Sequence, residues 1–207
     1  MLKLLLGRAG TGKTHAMLTA MGAANRPQIL IVPEQHSHDM ERRLCAIGGN
    51  AVSAHAEVLS FTRLANRVFS VCGGLAAPML DEGGRLLLLC TALKSVTDQL
   101  KVYQRPSRKP AFLSSLLATV DELKSCCITP EQLWSAGSET GGSEGDKLTD
   151  LALICGAYEA MTARKWADPR DKLTRLAEAL VRSDWAAGKD LYVDGFTDFT
   201  PQERQVL

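Results

Sequence analysis

Gly7-Arg8-Ala9-Gly10-Thr11-Gly12-Lys13-Thr14 follows directly on the apolar run Leu2-Lys3-Leu4-Leu5-Leu6. The octapeptide fits G-x-x-x-x-G-K-[ST], the sequence of a phosphate-binding loop. Each residue type answers a chemical need. Glycines at 7, 10 and 12 let the backbone curl until successive N–H groups point at phosphate oxygens. Lys13 would bring an ammonium to the β- and γ-phosphates, and Thr14 a hydroxyl to Mg²⁺. The next stretch, His15 to Met21, reads as a helix whose N-terminal partial charge favours the same anion. Residues 2–6 read as the strand before the loop. The nucleotide-binding residues expected from this pattern are therefore Gly7, Arg8, Ala9, Gly10, Thr11, Gly12, Lys13 and Thr14.

Working outward, Gln28-Ile29-Leu30-Ile31-Val32 is apolar and β-branched, as in a strand of a parallel sheet covered on both faces. A helix is expected from His36 to Ile47 and a third strand at Glu57-Val58-Leu59. Ser60 then caps a helix with Phe61, Leu64, Ala65, Val68 and Phe69 on one face. From about 75 to 186 the pattern is helical, with no convincing strand. Arg85 to Leu100 is leucine-rich nearly all round, and Phe112, Leu113, Leu116, Leu117, Val120 and Leu123 form a stripe. Thr129-Pro130-Glu131-Gln132 is a capping box, and Asp168-Pro169 opens another helix. Residues 137–145, rich in Gly, Ser and Glu, read as a mobile loop. At the end Asp190-Leu191-Tyr192-Val193 is a strand, and Thr200-Pro201-Gln202-Glu203 is a second capping box. A chain that stops one or two turns into a capped helix reads as the front part of a longer polypeptide.

The pattern predicts an α/β fold: a P-loop NTPase-like parallel sheet with helices on both faces and a large all-helical insertion. The domain reading is a nucleotide-binding core of residues 1–74 and 187–207, interrupted by a helical subdomain of residues 75–186. A phosphate loop needs a second acidic residue to hold Mg²⁺, usually at the tip of a neighbouring strand. Asp194 ends the apolar run Leu191-Tyr192-Val193, so Lys13 and Asp194 are the candidate catalytic pair and Thr14 and Asp194 the Mg²⁺ ligands. Gly195, next in line, can do no proton chemistry, which removes the residue that would orient an attacking water.

Bulk properties narrow the classes. The net charge is +1, so the whole molecule has no general pull toward polyanions. Six cysteines at 45, 72, 90, 126, 127 and 155 form no C-x-x-C pair and no zinc spacing, which suits buried thiols in a reducing compartment. No apolar stretch nears the roughly 20 residues of a membrane span, and the leading run is too short for a secretory signal. A soluble cytoplasmic protein is expected.

The chain resembles a known family at its two ends. The loop Gly7 to Thr14, Ile31-Val32-Pro33-Glu34-Gln35, Ser60-Phe61-Thr62-Arg63-Leu64-Ala65 and Tyr192-Val193-Asp194-Gly195-Phe196-Thr197-Asp198-Phe199-Thr200-Pro201-Gln202-Glu203 are similar to the B subunit of bacterial AddAB-type helicase–nucleases. That resemblance implies a superfamily-1 helicase-like module, ATP with Mg²⁺ as ligands, DNA and a second helicase–nuclease subunit as partners, and recombinational repair as the setting. It makes Gln35, Ser60 and Arg63 DNA-facing candidates. Family members continue into a nuclease domain with an iron–sulfur cluster, whose ligands have no match here, so no cluster is expected in this segment. The family's magnesium motif, Asp-Glu-x-x-Asp, is Asp194-Gly195-Phe196-Thr197-Asp198 in this chain, without the glutamate. Weak or no hydrolysis by this segment alone is therefore expected. Arg67 and the group Lys101, Arg105, Arg108 and Lys109 are further basic candidates for DNA contact. The residues alone leave two other readings open: a different P-loop phosphotransferase, and a scaffold that nucleotide merely stabilises.

Overall fold

In the computed structural model, residues 2–105 and 110–207 are described; Arg108 and Lys109 of the basic group lie outside them. The chain divides into two compact units, one of Met1–Cys72 and Glu178–Phe199, the other of Gly73–Ala177 and Thr200–Leu207.

The first unit is built on a parallel sheet. Strand β1 (Gln28–Ile31) lies between β2 (Ala56–Leu59) and β3 (Asp190–Val193). Its register aligns Leu30 with Val58 and with Tyr192. These three side chains share one face because successive residues alternate across a strand. Against that face pack Met17, Leu18 and Met21 of α1 (Lys13–Ala23) and Met40 and Leu44 of α2 (Ser37–Gly48). Ile29 and Ile31, on the opposite face, are also buried, so β1 is covered on both sides as its unbroken apolar sequence requires. Edge strand β3 is not: Leu191 and Val193, aligned with Ile29 and Ile31, remain 49% and 37% exposed. Helix α3 (Phe61–Cys72) buries Phe61, Leu64, Ala65, Val68 and Phe69, the five positions the periodicity selects. Its start is fixed by Ser60, whose Oγ accepts from the amide of Arg63 at 3.3 Å.

Residues 2–6 depart from expectation. They belong to none of the three strands, and Leu2, Leu4, Leu5 and Leu6 are 58–87% exposed. An apolar run carries the tendency to be buried. A strand, however, also needs a neighbouring edge to take its N–H and C=O groups. Among the described residues this run pairs with neither outer edge of the sheet, and each leucine forgoes roughly 1.5–3 kcal/mol of burial.

The second unit is helical: α4 (Glu82–Val96), α5 (Pro110–Ser125), α6 (Pro130–Thr140), α7 (Gly142–Thr162) and α9 (Pro201–Val206). Helix α8 (Lys172–Arg182) follows a 3-10 turn at Pro169–Asp171 and runs from this unit into the first. Leu89 and Leu93, Leu116 and Val120, Leu133, and Ile154 and Tyr158 form one core. Both capping boxes are present, at Thr129 with Gln132 and at Thr200 with Glu203. Helix α4 is less enclosed than its composition suggests, since Leu87 is 69% exposed.

The expected loop at 137–145 is instead the end of α6, a one-residue break at Gly141, and the start of α7. Its glycines serve close packing. A Cβ on Gly145 would stand 2.4 Å from the carbonyl oxygen of Gly137, and one on Gly137 would stand 2.8 Å from that of Gly145. The two helices approach backbone to backbone at this point, a use of glycine that composition cannot distinguish from a flexible linker.

A buried ion network also lies within the helical unit. Asp168 meets Arg85 Nε at 3.0 Å and Lys124 Nζ at 3.3 Å and accepts from the Tyr158 hydroxyl at 2.8 Å. Asp121 pairs with Arg85 and with Arg170, and Asp171 pairs with Lys124. Nothing in the spacing of these residues announced it.

Candidate functional site at the carboxyl ends of the strands

In a parallel sheet the carboxyl ends of the strands and the loops that leave them form the usual ligand edge. Asp194 stands at that edge, because its amide donates to Ile31 O at 3.1 Å and so continues the β1–β3 ladder. Thr14, in the first turn of α1, donates its hydroxyl to Asp194 Oδ2 at 2.6 Å. The structure thus joins two residues 180 positions apart, both half-buried.

The preceding loop folds on itself. Thr11 Oγ1 donates to Arg8 O at 2.8 Å, and Gly10 and Gly12 adopt φ of 77° and 82°, a left-handed backbone that other residues enter only at a cost. Lys13 Nζ donates to Gly7 O at 2.8 Å and to Arg8 O at 2.7 Å. No side chain caps the N-terminus of α1. Gly7, Arg8, Ala9, Gly10, Thr11 and Gly12 are exposed, and Lys13 is half-buried. Hydroxyl, carboxylate and backbone amides are hard donors of the kind that suit a Mg²⁺–phosphate pair. The residues present fit the group the sequence implies.

Gly195 turns the chain away from Asp194 with φ of 82°, and a Cβ there would lie 3.3 Å from Pro33 Cδ. This turn brings Phe196 and Phe199 onto Phe61. Ring centroids are 5.5 Å apart for Phe61–Phe196, 6.4 Å for Phe61–Phe199 and 4.8 Å for Phe196–Phe199. Phe61 is buried, as its place on the helix face predicts, but its partners 196 and 199 were not foreseen. The signals for them are their nearness to Asp194 and their place in the Tyr192–Glu203 stretch that carries the resemblance.

The other candidates separate. Gln35 is exposed on the 3-10 turn Glu34–His36 that leaves β1. Ser60, 4% exposed, donates to Glu34 Oε2, and Arg63 is exposed and donates to Glu41 Oε1 at 3.3 Å. Arg67 pairs with Glu57 at 3.0 Å. Lys101 and Arg105 belong to the helical unit, and Lys101 pairs with Asp146 at 2.6 Å. A hydrogen bond to Asp146 raises the Lys101 pKa.

Fold and site together define an α/β protein with a glycine-rich loop and a strand-terminal carboxylate meeting at the ligand edge of a parallel sheet. The chain belongs to the family described as ADDB, N-terminal, whose model matches residues 4–207. It is similar to the B subunit of the ATP-dependent helicase/deoxyribonuclease of Pelotomaculum thermopropionicum, with 39% identity over all of this chain and 19% of that protein. The proteins of the same description from Desulforudis audaxviator and Thermoanaerobacter sp. strain X514 are 37% and 36% identical, again over all of this chain and 19% and 18% of theirs. The chain therefore spans about a fifth of the length of these relatives. Among the described residues no helix is long and apolar enough to cross a membrane.

Proposed function

We propose that this chain is the nucleotide-binding, helicase-like module of the B subunit of an AddAB-type helicase–nuclease that processes DNA ends in recombinational repair. The observation that carries the reading is the 2.6 Å bond between Thr14 and Asp194, which joins the glycine loop to a strand-terminal carboxylate. The printed names of the relatives supply the setting: an ATP-dependent enzyme, a deoxyribonucleic acid substrate and a subunit with a partner. A P-loop NTPase-like core of residues 1–74 and 187–207, with 75–186 as its helical insertion, is part of the same reading, as is a cytoplasmic location.

Backbone amides of residues 7–14 would hold the phosphates, and Thr14 and Asp194 the Mg²⁺; the nucleotide supplies the phosphoanhydride whose cleavage drives such motors. Lys13 exchanges its two loop carbonyls for phosphate oxygens. Gln35 on the 3-10 turn that leaves β1, and Ser60 and Arg63 at the start of α3 after β2, are the DNA-facing side. Calorimetry with Mg-ATP tests the proposal. Lys13→Ala should weaken binding by about 1.5–3 kcal/mol, the range for a hydrogen bond to a charged group. Equal affinities for wild type and variant would remove the loop from the site.

One observation favours a second reading, in which nucleotide is held but not turned over. Gly195 occupies the position of the water-orienting carboxylate, and its left-handed backbone beside Pro33 suits glycine alone.

A further inference from the structure

The segment after β1 lays two carboxylates against the start of α3. Glu34, the first residue of the 3-10 turn, accepts the hydroxyl proton of Ser60, and Glu41 of α2 accepts from the Arg63 guanidinium at 3.3 Å. A serine hydroxyl has one proton to give, so Ser60 cannot serve a second acceptor while Glu34 holds it. The oxygen of Ser60 is engaged as well, through the Arg63 amide. A phosphodiester asks for the same donors: its anionic oxygens accept from hydroxyl and guanidinium groups, as a carboxylate does.

We infer that Glu34 and Glu41 are internal competitors for nucleic-acid phosphate at Ser60 and Arg63, so that a strand reaches these donors only by displacing both carboxylates. The inference rests on the DNA-facing reading of Ser60 and Arg63 and adds the groups that regulate it. Two features give the competition weight. Glu34 and Glu41 both come from the stretch of chain that leaves β1, whereas Ser60 and Arg63 both come from the stretch that leaves β2. The pairs therefore hold together the two segments that leave these strands. The Arg63–Glu41 pair is also partly exposed, 43% and 40%, where a competing anion can reach it. Phosphate contacts carry no sequence information. The competition consequently lowers affinity for every strand alike and leaves base and shape contacts to decide which strand stays.

The experiment is fluorescence anisotropy of a labelled oligothymidylate titrated with the full chain over a series of salt concentrations. Four proteins are compared: wild type, Arg63→Ala, Glu34→Gln/Glu41→Gln, and a control of matched charge, Asp39→Asn/Glu139→Gln. Among the described residues Asp39 pairs along its own helix, with Arg43 at 2.9 Å, and Glu139 is exposed on α6, in the other unit. Arg63→Ala should weaken binding about threefold or more. The Glu34/Glu41 variant should tighten it about threefold or more beyond the control, in line with ion pairs of this exposure. It should also steepen the salt dependence relative to the control, because no displaced carboxylate is left to take up a cation as the strand binds. If Arg63→Ala weakens binding but the Glu34/Glu41 variant only matches the control, the competition is absent and the DNA-facing reading stands. If Arg63→Ala has no effect, both fall. Thermal unfolding is followed in parallel. Should Glu34→Gln unsettle the fold, Glu41→Gln alone, at the exposed pair, decides between the same outcomes.

Discussion

Asp168 is 1% exposed, and a lone carboxylate so placed would be protonated or would unfold the helices around it. Burial pushes its pKa up, but the Arg170 amide at 2.9 Å, Lys124, Tyr158 and Arg85 outweigh burial and leave it below its ordinary value of 3.8. Burial alone would lower the Arg85 pKa, yet the hydrogen bond to Asp121 and the charge of Asp168 raise it. Breaking a buried ion network costs about 3–5 kcal/mol. Arg85 and Lys124 would keep Asp121 and Asp171 as partners, so Asp168→Ala is expected to destabilise by about 3 kcal/mol, measured by urea unfolding. The sign of its pH dependence follows from the depressed pKa. Asp168 gives up its proton more readily in the folded chain, so its contribution is complete above pH 3.8 and disappears as the pH falls through the folded value. Asp171 and Glu159, both raised by burial, act oppositely just above 3.8 and 4.5. Acid loss attributable to Asp168 should therefore begin only below that window, and the variant's deficit should shrink there. A deficit that stays constant down to pH 2 would show that folding does not depress the Asp168 pKa.

Between elements, contacts at glycine decide geometry that side-chain pattern leaves open. Helices α6 and α7 meet where Gly145 faces the backbone of Gly137, and the space there excludes even a methyl group. Gly145→Ala is expected to force the helices apart and to cost about 1–3 kcal/mol, the range for overpacking. Equilibrium unfolding checks this, with Gly156→Ala on the same helix as the reference. A Cβ at 156 would meet only Pro130 Cβ, at 3.7 Å, an ordinary contact. There the change should be neutral or stabilising, since alanine favours a helix by up to about 1 kcal/mol over glycine. Equal losses at both positions would refute the close approach.

For the molecule as a whole, the proposed function gives the chain the parts for holding a nucleotide and leaves it, with Gly195 after Asp194, without one for hydrolysing it. Groups that bind ground state and transition state equally do not accelerate chemistry. Phosphate release by the chain alone, with or without DNA, is therefore expected near background and far below about 1 s⁻¹, the lower range of working phosphoryl-transfer enzymes. Lys13→Ala is the contamination control. Gly195→Glu should not restore turnover. It should instead destabilise the first unit, because a side chain in the left-handed region costs roughly 1–2 kcal/mol and its Cβ would crowd Pro33 Cδ at 3.3 Å. Turnover above 1 s⁻¹ that Lys13→Ala abolishes would show the site to be complete as it is.

The glycine loop, the two capping boxes and the three sheet strands were legible in the sequence because each is a local arrangement. A cap is closed within four residues, and a buried strand reveals itself by an unbroken apolar run between breakers. Asp194 could be picked out for the same reason, as a carboxylate at the tip of such a run. What the sequence could not supply was every decision that depends on a distant partner. The leucines of residues 2–6 carry as strong an apolar signal as β1, yet a strand exists only where an edge accepts its backbone groups. The glycines at 137 and 145 look like a linker until the opposing backbone is seen so close that a Cβ on Gly145 would stand 2.4 Å from Gly137 O. Nothing local links the charges at 85, 121, 124, 168 and 171, and only the packing of α4, α5 and α7 with the Pro169–Asp171 turn gathers them into one network. The carboxylates on Ser60 and Arg63 belong with these. They arrive from the segment that leaves another strand, Glu34 on a 3-10 turn and Glu41 on α2, and only the tertiary fold brings them there.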